Sequence, residues 1–127
     1  MRYATVTVAL VAALALVGCA TLAPDADPIL VRAEQALEVS FETVDFALLV
    51  EYRHREMIAG VLPQAEEMAD HLRRVAPDAF RGLDNAIDAY RTNRTPDNQA
   101  TVLTWLAVVE SLMRDAQMIL ASWGGVS

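Results

Sequence analysis

From Ile29 to Trp123 apolar side chains return every three or four residues, with only short breaks in the pattern. That spacing places them along one side of a 3.6-residue helix. Ala, Leu and Val dominate, and five glycines and five prolines in 127 residues leave few breakers, so helices are favoured over sheets. The first helix is expected from Ile29 to about Gly60, with Leu30, Ala33, Leu37, Phe41, Val44, Leu48 and Tyr52 as its stripe. Pro28 suits its first turn and Gly60 its end. The second is expected from Pro63 to about Thr92, on a stripe from Ala65 through Met68, Leu72 and Leu83 to Tyr90. Pro77 lies inside it without shifting the phase, which predicts a kink. "RTPDN" announces the third, with Thr95 as cap, Pro96 in the first turn and Asp97 against the positive helix end. Its stripe runs from Val102 and Trp105 to Ile119 and Trp123, and Gly124-Gly125 are expected to stop it.

At 1.5 Å per residue, helices of about 27 to 32 residues are about 40 to 48 Å long. Matched lengths and short connections imply antiparallel neighbours, hence an all-α, antiparallel three-helix bundle over residues 29–123. Residues 124–127 are left as a flexible C-terminus. The apolar fraction of 54% suffices for one core in a chain of this length, not two. A formal charge of -7 repels phosphates and excludes a nucleic-acid role. All ten basic residues are arginines, so chemistry that needs a lysine, such as a Schiff base, is excluded.

The amino terminus reads differently. Met1-Arg2 carries one positive charge, and "YATVTVALVAALALVG" then runs uncharged to Gly18, the form of a secretory signal. "LVGC" (Leu16, Val17, Gly18, Cys19) resembles the lipobox of bacterial lipoprotein precursors. The resemblance covers residues 1–19 only. It implies a signal peptide over 1–18, cleavage after Gly18, a diacylglycerol thioether on Cys19 and an acylated new terminus. That covalent lipid is the only non-protein group expected; no other cofactor is. Each buried acyl CH₂ contributes about 0.8 kcal/mol, so several chains make a durable membrane anchor. Two other readings stay open at this point. Tyr3 to Ala23 has the length of about 20 residues needed to span a bilayer uncleaved. Alternatively, Cys19 is an ordinary small residue in a signal cut elsewhere.

Ala20 follows the cysteine where an aspartate commonly retains lipoproteins at the inner membrane. The resemblance therefore implies the periplasmic face of the outer membrane in a two-membrane bacterium, and the cell surface otherwise. Residues 19–28, with Pro24, Asp25, Asp27 and Pro28, read as a solvated tether that reaches no more than about 30 Å.

The first helix carries a second apolar stripe: Val39, Phe46, Val50 and Met57. A helix apolar over most of its circumference is wholly buried or touches something outside its own fold. These residues form the candidate interaction face, for self-association or an envelope partner. On that reading Phe41 is core and Phe46 is interface.

Catalytic patterns are missing: the four serines have no histidine at a usable spacing, no phosphate loop exists, and an enzyme is not expected. Glu51 and His54 stand at i and i+3, and Glu67 and His71 at i and i+4 on the next helix. Di-metal bundles use the first spacing, but they also need inward carboxylates from two further helices. These four residues are weak metal candidates, and no metal is expected. The resulting expectation is a lipid-anchored, extracytoplasmic helical lipoprotein with a structural, adaptor or protein-binding role. An accessory of a secretion, transport or phage-lysis complex is the nearest alternative, and a metal-binding bundle the third.

Overall fold

The computed structural model describes residues 27–126, and every regular element among them is a helix. They are α1 (Pro28–Arg53), α2 (Arg55–Val61), α3 (Ala65–Thr92) and α4 (Pro96–Val126). Four helices therefore stand where three were expected. The difference is one residue: His54 leaves helical geometry at φ -123° and ψ 30°. Its N–H still donates to the Val50 carbonyl, and its own carbonyl accepts from Ile58, so the chain resumes a helix at once.

The ends follow local chemistry. Asp27 caps α1 by accepting from the Ile29 N–H at 2.9 Å, and Pro28 occupies the first helical position. The helix thus begins inside the segment expected to be tether. Thr95 Oγ1 accepts from the Asn98 N–H at 3.2 Å, and the Asn98 amide donates back to the Asn93 carbonyl at 2.8 Å. That exchange closes the turn between α3 and α4. At the other end α4 runs through Gly124 and Gly125 to Val126, which corrects the expected stop. A glycine ends a helix by turning left-handed, and no described glycine has a positive φ.

The core stripe of α1 differs from the expected one. Leu30, Ala33, Ser40, Val44, Ala47 and Glu51 are buried, and with half-buried Leu37 they alternate spacings of three and four. On α3 the buried set Ala65, Ala69, Leu72, Ala76, Ala79, Leu83, Ala86 and Tyr90 keeps the same alternation. This is a 3.5-residue repeat, which holds one seam of each helix toward its neighbours. Small residues dominate it and let the backbones approach closely. Beside the seam, Gly82 lies against the Trp105 side chain, and a Cβ there would lie 2.6 Å from the ring.

Cross-helix contacts give the relative directions. Asp27 meets Tyr90, Phe41 meets Phe80 and Glu51 meets Arg73, so α1 and α3 run in opposite senses. Arg32 meets Glu110, Ser40 meets Met113 and Phe46 meets Trp123, so α1 and α4 run in the same sense. No described helix is long and apolar enough to cross a membrane.

Candidate functional site

Two features stand out on this frame, a buried charge cluster at the His54 break and an apolar surface along α1. The cluster centres on Glu51, whose side chain is wholly buried. Its Oε1 accepts from Arg55 Nε at 2.9 Å, and its Oε2 accepts from Arg73 Nη2 at 3.1 Å. Arg55 also donates to Glu66 at 3.0 Å, and Arg73 to Asp70 at 2.9 Å. The Glu51 bond raises the Arg55 guanidinium above its ordinary pKa, against the effect of burial. Burial of a lone carboxylate is costly, and paired guanidinium groups are the usual remedy.

This arrangement gives the places of the four metal candidates. Both Glu51 oxygens are committed to arginines, and the His54 ring stacks on Trp123 with centroids 5.7 Å apart. Glu67 and His71 stand exposed on α3. No three His, Cys, Asp or Glu side chains gather as a metal site would require among the described residues. The i, i+3 pair on α1 serves packing and charge pairing. Arg73, the partner that makes this possible, carried no signal in the sequence beyond the arginine-acid alternation of a solvated face.

The apolar surface is broader than expected and partly different. Val39, Phe46 and Met57 are about half exposed, but Val50 is only 5% exposed and belongs to the core. This corrects its place on the interaction face: Val50 is buried beside the seam residues Ala47 and Glu51. Phe41, expected in the core, is 59% exposed, against 49% for Phe46. Tyr52 is likewise exposed. In both cases Ser40 and Glu51, one residue earlier, take the inward position.

Phe41 and Phe46 lie on opposite flanks of α1. Phe46 meets Trp123 edge-on at 6.3 Å on the α4 side. Phe41 meets Phe80 at 5.7 Å on the α3 side. The Phe41–Phe80 pair divides an open groove into depressions of about 250 Å3 and 450 Å3. Val44, Leu72 and Ala76 are the buried residues beneath the smaller one, with Leu48 and Pro77 beside it. The spacing rule for a seam, applied strictly, would have placed Ser40 and Ala47 inward and freed Phe41 for the surface.

Both buried serine hydroxyls are engaged: Ser40 donates to the Met113 sulfur and Ser122 to the Ile119 carbonyl. Leu16, Val17, Gly18 and Cys19 lie outside the described residues. No protein-family model, curated protein or solved structure matches this chain.

Proposed function

We propose that this chain is a lipid-anchored, extracytoplasmic protein that folds as an antiparallel three-helix bundle and acts as a structural or adaptor element of the cell envelope. The opposed directions of α1 and α3, the shared direction of α1 and α4, and the short turns at 62–64 and 93–95 support the bundle. In it α2 continues the first strut beyond the His54 break. "LVGC" ahead of an acidic segment supports the anchor, which joins the domain at the Asp27 end.

One observation carries the adaptor role: Phe41 and Phe46 stand about half exposed on opposite flanks of one helix. A large aromatic side chain left in water gives up part of the roughly 1.5–3 kcal/mol that full burial contributes. A partner that covers it recovers that contribution.

The anchor is tested by acyl labelling of cells expressing the full chain. Wild type should incorporate labelled fatty acid and fractionate with membranes, and Cys19→Ser should do neither. Labelling that persists in the serine variant sinks the lipobox reading. A serine variant that loses label yet stays in the membrane favours an uncleaved helix. The adaptor role is tested by the envelope complexes isolated with wild type, Phe41→Ser and Phe46→Ser. If both variants keep every partner that wild type keeps, α1 is not the binding element.

A further inference from the structure

The groove between α1 and α3 differs in charge from the rest of α1. Its lining includes Glu38, Glu42 and Asp45 from α1 and Asp84 from α3. None of these carboxylates has a hydrogen bond or ion pair among the described residues. The two cations in the same lining are engaged elsewhere. Arg73 holds Glu51 at 3.1 Å and Asp70 at 2.9 Å, and Arg81 faces Asp78 at 3.6 Å. An apolar trough is thus bordered by uncompensated negative charge.

We propose that this groove receives a basic amphipathic helix of a partner protein. Apolar side chains of such a helix would seat on either side of the Phe41–Phe80 pair, and its arginines or lysines would meet the rim carboxylates. From Glu38 to Leu48 the groove follows about 15 Å of α1, room for about three turns of a partner helix. A second copy of this chain fits poorly. Its charge is -7, and a two-fold contact through the groove would set the same four carboxylates against themselves. The proposal rests on the adaptor reading and adds to it the face used and the charge of the partner.

The test uses the full chain in a neutral detergent, with protein-free micelles as blank. The probes are two labelled 18-residue peptides patterned with leucine at helical spacing, one with lysine on its polar face and one with glutamate. The lysine peptide should bind at least about tenfold more tightly than the glutamate peptide at low salt, and the preference should shrink as salt is added. Phe41→Ser and the pair Glu42→Lys with Asp45→Lys should each abolish that preference, while Phe46→Ser leaves it intact. All four positions are exposed, so circular dichroism should show unchanged helix content.

Equal binding of both peptides, or binding that survives the Phe41 and charge changes, overturns the proposal. Loss of binding in Phe46→Ser alone moves the interface to the other flank, so the groove assignment falls while the adaptor reading stands. Self-association of wild type that Phe41→Ser abolishes assigns the groove to a second copy and overturns the basic partner. A strictly monomeric chain that binds neither peptide, with no envelope partner lost in either phenylalanine variant, overturns both readings.

Discussion

The Glu51 carboxylate, wholly buried on α1, accepts a hydrogen bond at 3.1 Å from Arg73, twenty-two positions later in the chain on α3. Removing one partner of a buried pair costs about 3–5 kcal/mol, whereas replacing the pair with apolar groups is often neutral or stabilising. Arg55 still donates to both oxygens of Glu51, at 2.9 and 3.3 Å, so Arg73→Met should cost less than that full amount. Glu51→Met should cost less again, or raise stability. Urea unfolding followed by helix signal measures the order, and a Glu51→Met variant weaker than Arg73→Met would contradict it.

Gly82 predicts a sign reversal. Alanine normally stabilises a helix by about 1 kcal/mol over glycine. Here its Cβ would press to 2.6 Å on the core atoms of the Trp105 ring, and overpacking costs about 1–3 kcal/mol. Gly82→Ala should therefore destabilise the wild-type chain. In a Trp105→Leu background, the same change should stabilise. Melting temperatures of the four proteins in that cycle decide it.

Exposure orders the aromatic and aliphatic truncations. Leu72 and Ile119 are fully buried, and Leu72→Ala or Ile119→Ala should cost about 2–5 kcal/mol. Phe41→Ala and Phe46→Ala should both fall well short of the about 3–5 kcal/mol of a buried phenylalanine. This replaces the expectation that Phe41 is the core residue of the two. A Phe41→Ala loss equal to that of Leu72→Ala would return Phe41 to the core.

Asp27 adds a pH dependence. Burial pushes its carboxyl up, but the Tyr90 hydroxyl, the Ile29 and Leu30 amides and the Arg94 charge together hold it below its ordinary 3.8. A carboxyl depressed on folding stabilises the native state above its unfolded value and loses that effect as pH falls through the folded one. The stability difference between wild type and Asp27→Asn should therefore be full at neutral pH and fade below 3.8. Tyr90→Phe removes a donor at 2.9 Å and lets the folded value rise toward the unfolded one, so the fade should be smaller and end at higher pH. A difference that stays constant through acid would mean Asp27 acts only as a neutral cap.

Local chemistry made much of the fold legible. Pro28, Thr95 and Pro96 mark helix starts in the sequence and sit at or beside helix starts in the structure, because a ring-fixed φ and a capping hydroxyl act within a turn. The stripe on the second expected helix is largely the buried stripe of α3, since apolar residues at helical spacing have only one face to bury. The candidate surface was legible in part: Val39, Phe46 and Met57 are exposed, and Val50 is not.

What the sequence by itself determined is the all-helical class, the starts of the long helices and an apolar excess on the first of them. Only the tertiary structure decided the register of that helix. Reading by size puts Phe41 and Tyr52 inward, whereas Ser40, facing Met113 of α4, Ala47, and Glu51, facing Arg73 of α3, take the buried positions. A buried carboxylate is tolerable only if cations from elsewhere reach it, and Arg73 reaches Glu51 only after the chain has reversed at 62–64. The groove has the same origin: Phe41 and Phe80 are thirty-nine positions apart in the chain and 5.7 Å apart in space. Periodicity describes each helix alone, while the side facing a neighbour depends on which residues let two backbones come together.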